Sequence, residues 1–411
     1  MIRLRRSAPA VALCLVALCC LVASARAQAT RCNAASAAPS VFVPLPGHPF
    51  GVVSSADGCW LFASLLGMDA KSTTGVALLS RAAGKVELKQ TFAVAGQPGG
   101  LALTHDGRLL VLSTGDRVVF MDVARMTSGR GDPVLGHFST GENAGSVYVN
   151  VTPDDRFLFV SDERAQAVSV VNLQRARAEG FKPSAIVGRI PVGHAPIALT
   201  FSPDGRWLYT TSQVAPDSYG WPAECRPEHA DPATAQPRFP QGAVIVIAVA
   251  RAETDPANAV VAKVPAGCNP VRLALAPDGA RAYVTARNSN ALLAFDTAAL
   301  RAGDASRALI GTVPTGTAPV GVAVIADGRQ IVVTNSNRFS HDPDARQTLT
   351  VIDAARVADG AAAILGSVRA GGFPREFGQA PDRRTLFVTN FNTRELQIID
   401  LTRLQPERPT P

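Results

Sequence analysis

The sequence predicts an all-β fold, a seven-bladed β-propeller, and three observations support this prediction. A unit of a β-rich strand, a tight turn and a second strand recurs along the chain, and residues 384–401 (RTLFVTNFNTRELQIIDL) show it most clearly. Short turns centred on aspartate mark seven such units, spaced by 48–55 residues except for one interval of 74. A period of about 50 residues is typical of propeller blades. The strands are apolar on both faces, as expected when each small sheet lies between two neighbouring sheets.

The turns identify a hairpin in every unit. In the turns that read Pro-Asp-Gly, proline presets its own φ, and glycine after the aspartate adopts a left-handed conformation at little cost. Each turn therefore joins the first and second strands of a unit. The seven turns centre on Asp57, Asp106, Asp154, Asp204, Asp278, Asp327 and Asp382.

Four strands are expected in each unit. In the fifth unit they are residues 271–276, 282–285, 292–295 and 308–314. The seventh unit ends after its third strand, so its fourth strand is missing. Residues 41–47 (VFVPLPG) resemble the ends of fourth strands elsewhere. We therefore expect the N-terminal strand 41–47 to complete the last blade and close the ring, which removes open sheet edges.

This topology places the loops on two faces. Connections from a fourth strand to the next first strand, and from a second to a third strand, lie on one face, here called the top face. The aspartate turns lie on the bottom face. Cys225 and Cys268 are then both at the top, and Cys32 and Cys59 both at the bottom, so we expect the disulfides Cys32–Cys59 and Cys225–Cys268. The alternative is four unpaired thiols.

The N-terminus predicts export. Three arginines precede an apolar run that ends in Ala25-Arg26-Ala27, which suits a signal peptidase. We expect residues 1–27 to be a cleaved signal peptide, and an uncleaved membrane anchor is the alternative because the run approaches spanning length. The remaining domains are then a lead-in over 28–38, the propeller over 39–403 with 213–242 as a top-face cap, and a flexible tail over 404–411.

Charge gives little support to nucleic-acid binding. The net charge of +7 falls to +3 without residues 1–27, because that segment carries four arginines and no acidic residue. The remaining arginines are scattered among the units rather than clustered on one stretch. A polyanion or nucleic-acid binder is therefore the third-ranked function.

The repeat resembles the YVTN-repeat β-propeller family. Residues 387–390 (FVTN), 332–335 (VVTN) and 283–286 (YVTA), with the turns before them, carry the resemblance, which covers nearly all of the mature chain. It implies an exported protein with a binding or surface role. Related seven-bladed lactonase-like propellers hydrolyse sugar lactones, so the resemblance implies that activity too, and the fold does not choose between them.

Candidate site residues come from the top-face loops, because standard catalytic signatures such as Gly-x-Ser-x-Gly and His-Glu-x-x-His are absent from the sequence. An arginine there could bind a carboxylate or phosphate through two bonds, or tie one blade to the next. Aromatic side chains of the cap could stack on a ligand or pack the cap onto the propeller. The ligand-binding candidates are His48, Glu142, Asn143, His194, Tyr219, Trp221, Arg272, Arg375 and Glu376.

Three functions are compatible with these residues. The leading prediction is an exported, non-catalytic binding or scaffold protein, monomeric and without a cofactor, that binds a small molecule, glycan or protein at its top face. The second is a lactonase-like hydrolase at the central channel, in which Glu376 or Glu142 acts as general base and Arg272 or Arg375 stabilises an oxyanion. The third is the polyanion binder. No metal site is expected, because two histidines without a carboxylate cluster make a poor ligand set.

Overall fold

The computed structural model describes residues 32–33, 36–227, 238–340, 342 and 345–407. The expected signal peptide, residues 1–27, lies outside the described residues. No helix within the described part of the chain is long and apolar enough to cross a membrane.

The described chain forms the predicted seven-bladed β-propeller, in which every blade is an antiparallel sheet. The first strand of each blade is innermost, and that of blade 4 is split in two. The first strands are His48–Ser54, Leu101–Leu103, Ser146–Val151, His194–Pro196 with Thr200–Phe201, Pro270–Leu275, Pro319–Ile325 and Pro374–Gln379. The second strands are Trp60–Leu66, Leu109–Ser113, Phe157–Asp162, Trp207–Val214, Arg281–Ala286, Gln330–Asn335 and Thr385–Asn390.

The third and fourth strands form the outer half of each blade. The third strands are Gly75–Ala82, Val118–Asp122, Ala167–Asn172, Ala243–Ala248, Ala291–Asp296, Thr348–Asp353 and Glu395–Asp400. The fourth strands of blades 1 to 6 are Lys85–Ala93, Val134–Phe138, Ile186–Pro191, Val260–Pro265, Leu309–Pro314 and Ile364–Arg369. The core lies between blades: Tyr209 of blade 4, for example, packs with Val284 and Phe295 of blade 5. Burial of these faces holds neighbouring sheets together.

Short helices follow most third strands. Where such a strand ends in aspartate or asparagine, that residue caps the helix, as where Asp296 accepts the backbone N–H of Ala299 at 2.8 Å. The helix Val249–Ala252 follows Ala248 and has no side-chain cap. The α-helices are Val123–Ser128, Leu173–Ala178, Val249–Ala252, Thr297–Ala302 and Ala305–Ala308. The 3₁₀ helices are Pro183–Ala185, Asp217–Tyr219, Pro256–Asn258, Arg287–Ser289, Ala326–Gly328, Ala354–Ala363 and Leu401–Arg403.

The ring closes as the sequence predicts. The N-terminal strand Ser40–Pro44 pairs with Glu395–Asp400 as the fourth strand of blade 7, with Ser40 opposite Ile399 and Pro44 opposite Glu395. The disulfide Cys32–Cys59 links the segment before this strand to blade 1. The predicted pairing is therefore confirmed on the bottom face.

A buried ion pair reinforces this closure. Arg81 of blade 1 donates to Asp382 of blade 7 at 2.8 Å and to Asn33, beside the disulfide, at 2.9 Å. Its side chain is 3% exposed and that of Asp382 is 5% exposed. Arg81 thus joins three segments that meet where the ring closes.

The second disulfide, Cys225–Cys268, is also confirmed and ties the cap to the loop that opens blade 5. The described part of the cap contains a small sheet of Ala223–Cys225 and Phe239–Pro240. At the other end of the chain, Glu407 exchanges two backbone hydrogen bonds with Ser367 of blade 6. The first part of the expected tail therefore lies along the edge of that blade.

The Val-Thr-Asn part of the repeat has a structural explanation. The hydroxyl of Thr389 accepts the backbone N–H of Glu376, where the first strand of its own blade bulges, at 3.0 Å. It also lies 3.1 Å from the carbonyl oxygen of Phe50 in the next blade, to which it donates. Comparable bonds to the next blade are formed by Ser64, Ser113, Thr211 and Thr285.

The asparagine position holds the loop that enters the first strand. Asn390 accepts the backbone N–H of Gly371 at 3.1 Å, and Asn335 accepts that of Gly316 at 3.0 Å. In blade 3 the equivalent residue is Asp162, which is fully buried and accepts hydroxyl hydrogen bonds from Thr140, Ser146 and Ser169. Burial raises the pKa of Asp162, although the three hydroxyl donors partly offset this effect.

Candidate functional site

One position in each first strand lies opposite the hydroxyl described above. Four of its seven occupants are glycine or alanine, whereas Tyr148, Arg272 and Glu376 have long side chains. Because these three come from blades 3, 5 and 7, which are not neighbours, their contacts must cross the central channel. In blade order the occupants are Gly51, Gly100, Tyr148, Ala198, Arg272, Gly321 and Glu376.

Arg272 and Glu376 form a buried ion pair across the channel. One carboxylate oxygen of Glu376 faces both Nε and one terminal nitrogen of Arg272. The two side chains are 6% and 8% exposed. The guanidinium of Arg272 also lies over the ring of Tyr148, 4.8 Å from its centroid. Glu376 is therefore neutralised by Arg272, and we call these three side chains the channel plug.

Tyr148 completes the plug in an enclosed environment. Burial, together with the Glu376 carboxylate, raises the pKa of Tyr148 to about 12, although Arg272 acts in the opposite direction. Its phenol is therefore neutral at physiological pH. Gly100 makes room for this ring, because a Cβ there would lie 2.3 Å from Cδ2 of Tyr148.

Arg375 lies one residue before the plug, on the side of the top face. Its guanidinium carbon is 3.7 Å from the centroid of the Phe50 ring, and Phe373 and Phe391 flank it at 5.4 and 5.8 Å. Its Nε is buried, and no hydrogen-bond acceptor for Arg375 is found among the described residues. Burial and repulsion from Arg272 lower the pKa of Arg375 to about 9.

The surroundings of Arg375 are apolar and aromatic. Ile197, Val271 and Val320, each one residue before the plug position of its blade, pack with Phe373. Arg338 lies over Phe339 at 4.9 Å and near Phe373 at 6.0 Å, which continues the alternation of arginine and phenylalanine towards blade 6. We call Phe50, Phe373, Phe391 and Arg375 with this apolar floor the upper mouth.

His48 lies at the edge of the upper mouth. Its Nδ1 is 2.9 Å from the carbonyl oxygen of Phe391, which can only accept, so Nδ1 carries the proton in this contact. The ring is 5.0 Å from that of Phe391. Its Nε2 is buried without a partner in the described structure. His48 therefore has one ring nitrogen that no described protein group uses.

A second polar chain runs between blades 3, 4 and 5. Arg287 is 8% exposed and donates to Gln213 at 2.9 Å, and Gln213 donates to Glu163 at 3.3 Å. The charge on Arg287 also lowers the pKa of Arg375, although burial and Arg272 contribute more. These contacts tie the base of the cap to neighbouring blades.

The remaining sequence candidates are not gathered at the channel. Glu142 is exposed in a loop of blade 3, and His194 is exposed at the start of the first strand of blade 4. Within the described residues, no hydrogen bond or ion pair joins Glu142 to Glu376. Asn143 has positive φ and accepts a weak hydrogen bond from Arg164 through its carbonyl. No group of three histidine, cysteine, aspartate or glutamate side chains suited to a metal is found in the described part of the chain.

The two aromatic residues of the cap pack onto the propeller. Tyr219 and Trp221 contact the core between blades 3 and 4 and meet edge to face, with centroids 5.2 Å apart. The Tyr219 hydroxyl donates to the carbonyl of Val192, and Lys263 lies over its ring at 4.3 Å. The contacts present are thus those of an anchor for the cap.

Sequence reasoning missed most of the upper mouth. Phe50 lies within a first strand, Phe373 directly precedes a first strand and Phe391 directly follows a second strand, and an aromatic residue at such places looks like ordinary core. Tyr148 was detectable in principle, because it lies 13 residues before the hydroxyl residue Ser161, as Glu376 lies before Thr389. The repeat pattern does not, however, predict which of the seven equivalent positions have side chains that meet across the channel.

Comparison with known proteins supports the fold. No family model matches the sequence, and no curated protein matches it either. Similar solved structures include a chain of Kuenenia stuttgartiensis hydrazine synthase, at TM-score 0.62 and 18% identity over 88% of this chain and 97% of that chain. A chain of the mitotic checkpoint complex has TM-score 0.62 and 13% identity, over 88% and 94% of the two chains.

A third similar structure is the periplasmic gluconolactonase PpgL of Pseudomonas aeruginosa. Its TM-score is 0.58 and its identity is 21%, over 80% of this chain and 86% of that chain. Identities this low show the propeller fold and leave the YVTN-family resemblance a prediction. The two disulfides suggest that the chain is exported, because such bonds persist in oxidising compartments.

Proposed function

We propose that this protein is an exported, non-catalytic propeller that binds a small organic anion at the upper mouth. The observation that carries this proposal is the guanidinium of Arg375, which is stacked on Phe50 and has no hydrogen-bond acceptor among the described residues. A charged group in such a place is costly unless something pairs with it. A bound anion would supply the missing partner.

The stacking favours a carboxylate. A guanidinium that lies face-on to an aromatic ring keeps its N–H groups in the plane parallel to that ring, where they can form two parallel bonds to a planar carboxylate. Burial and repulsion from Arg272 lower the pKa of Arg375, and the Glu376 carboxylate offsets this effect only in part. Anion binding would relieve the repulsion from Arg272.

The apolar floor selects for an organic ligand. Ile197, Val271, Val320 and Phe373 are each less than a tenth exposed and offer no hydrogen-bonding side chain. A ligand whose carboxylate reaches Arg375 would place its carbon skeleton against these residues. Inorganic phosphate or sulfate would leave that surface without a partner.

The hydrolase alternative has weaker support. Glu376, the stronger candidate base, is paired with buried Arg272, and a base in a tight ion pair is a poor proton acceptor. Glu142 is exposed in a loop and forms no hydrogen bond or ion pair with the plug among the described residues. Because one similar structure is a gluconolactonase, glucono-δ-lactone is nevertheless the substrate to test.

Binding can be tested by calorimetric titration of the oxidised protein with acetate, benzoate, gluconate and citrate, and with benzamide as the uncharged match of benzoate. We expect at least one carboxylate to bind, benzamide not to bind, and Arg375→Gln to weaken binding by about tenfold or more. The exposed Arg383→Gln is the matched control. Equal affinity in wild type and Arg375→Gln, or no carboxylate binding at all, would refute the proposal.

Catalysis is tested separately with glucono-δ-lactone. We expect the rate of ring opening with protein to equal the spontaneous rate. Turnover that is abolished by Glu376→Gln, while the protein stays folded, would replace the binding function with hydrolysis.

A further inference from the structure

A cavity lies below the channel plug, on the side of the bottom face. Its volume is about 370 Å³, and it is lined by the first strands of blades 1, 2, 3 and 7. Tyr148 and Glu376 lie at its inner end, and Ser54, His105 and Gln379 lie at its outer end. None of the aromatic residues around Arg375 lines it. It is therefore distinct from the upper mouth.

Two polar groups at the inner end have unused hydrogen-bonding capacity. Only one carboxylate oxygen of Glu376 contacts Arg272, and the other has no hydrogen-bond partner among the described residues. The Tyr148 hydroxyl likewise forms no hydrogen bond within the described chain. Both residues line the cavity, and neither of these two atoms is fully enclosed by protein. One is an acceptor, and the other both donates and accepts.

Gly51 keeps this cavity clear. Its φ is not positive, and a Cβ added there would lie at ordinary contact distances, 3.6 Å from Leu101 and 3.8 Å from Ser64. Neither the backbone nor close packing therefore requires glycine at this position. Gly378, by contrast, is needed for packing, because its Cβ would lie 2.7 Å from the carbonyl oxygen of Val52. The missing side chain at Gly51 leaves space in the channel.

The inner end carries no net charge. Arg272 neutralises Glu376, and burial keeps the Tyr148 phenol protonated. At the outer end, His105 is already paired with Asp155 at 2.8 Å. A charged ligand would lose hydration without gaining a counterion, whereas an uncharged ligand rich in hydroxyl groups would gain hydrogen bonds to Glu376, Tyr148 and exposed strand backbone.

We propose that the lower cavity binds a small uncharged polyol, of the size of a monosaccharide or cyclitol. Its hydroxyl groups donate to the free oxygen of Glu376 and exchange a hydrogen bond with Tyr148. The volume lies at the lower end of the range for small-molecule sites, which excludes longer oligosaccharides from complete burial. This site is independent of anion binding at Arg375.

The test titrates the oxidised full protein with myo-inositol, glucose and glycerol, followed by ligand-observed NMR and calorimetry. We expect saturable binding of at least one polyol. Gly51→Leu, which fills the cavity, should weaken it by about tenfold or more, and Tyr148→Phe, which removes one hydroxyl, by roughly threefold to tenfold. Arg375→Gln should leave it unchanged.

Controls separate loss of the site from loss of the fold. Gly51→Ala should melt like wild type and retain most of the binding, because its Cβ fits. Failure of all three polyols to bind, or binding that survives Gly51→Leu and Tyr148→Phe, would overturn the proposal. Loss of polyol binding in Arg375→Gln would place the polyol at the upper mouth, and this result would also overturn the proposal. Failure of the carboxylate titration alone would leave this result unaffected.

Discussion

Arg272 and Glu376 hold equivalent positions in blades 5 and 7, and their side chains form an ion pair across the channel. Removing one partner leaves the other charge buried and unpaired. We expect Glu376→Leu or Arg272→Leu to lower the free energy of unfolding by about 3–5 kcal/mol, and the double leucine variant to be much closer to wild type. Chemical denaturation of all four proteins measures this. Additive losses in the double variant would contradict it.

The buried charge of Arg375 should lower the stability of the ligand-free protein. Its pKa is lowered, so the folded state disfavours the charged form relative to the unfolded chain. Arg375→Met keeps much of the contact with Phe50 and removes the charge. We expect a higher melting temperature than wild type in the absence of ligand. The exposed Arg383→Met is the control and should leave the melting temperature unchanged. A lower melting temperature for Arg375→Met would show that the charge is already compensated.

The threonine of the repeat should contribute more to the free energy of unfolding in a blade where its hydroxyl also bonds to the next blade. Thr389→Val leaves the Glu376 N–H and the Phe50 carbonyl without their shared hydroxyl. A loss of roughly 1–3 kcal/mol in the free energy of unfolding is expected. Thr334→Val is the comparison, because the Thr334 hydroxyl accepts from Gly321 and no bond from it to blade 7 is found in the described structure. Urea denaturation should show the smaller loss for Thr334→Val.

Ring closure should depend on Arg81. Arg81→Met leaves Asp382 buried without its cation, and about 3–5 kcal/mol of stability should be lost. Asp382→Asn in the same protein should restore part of it, because the uncompensated charge is removed. Thermal unfolding at neutral pH is the measurement. No rescue by the second substitution would mean that packing of the Arg81 stem dominates.

Asp162 should make stability fall as pH rises. Its pKa is raised in the folded state, so above its usual value the folded protein binds more protons than the unfolded chain, and stability decreases with pH in that window. Asp162→Asn introduces the residue found at this position in blades 6 and 7. We expect the variant to gain stability relative to wild type as the pH rises above the usual aspartate pKa. Urea midpoints at several pH values test this.

Asp204 provides a control of opposite sign. Hydrogen bonds from Ser202 and Arg206 lower its pKa to about 2. Its contribution is therefore present above its usual pKa and is lost as pH falls towards 2. Asp204→Asn should accordingly reduce the pH dependence at the acidic end only.

Features repeated in every unit could be predicted from the sequence. The aspartate turns fix the strand order, the strand order fixes the two faces, and the faces fix the pairing of Cys32 with Cys59 and of Cys225 with Cys268. Closure by Ser40–Pro44 follows because one unit lacks its outermost strand. These inferences use local chemistry and counting, which do not require three-dimensional distances.

The site depends on departures from the repeat, and these could be predicted only in part. Arg272, Arg375 and Glu376 stand out in sequence as polar residues in apolar strands. Which of them pair is decided by the ring geometry, since blades 5 and 7 face each other only once seven blades close. Arg375, like Arg272, is an arginine in an otherwise apolar first strand, but it forms no ion pair with a carboxylate among the described residues. No sequence pattern distinguishes the two arginines.

The seventh sheet is shared between segments that lie far apart along the polypeptide, with Ser40–Pro44 beside Glu395–Asp400. The third strand of that blade can pair with its outer neighbour only when the two ends of the propeller come together. This pairing closes a very long loop, so we expect it to be a late and slow step in folding. Before the ring closes, the N-terminal strand of a second molecule can pair with this edge equally well. We therefore expect strand-exchanged dimers as a by-product at high protein concentration. Oxidation of Cys32 and Cys59 tethers the returning strand near its place, and should shift the outcome towards the monomer.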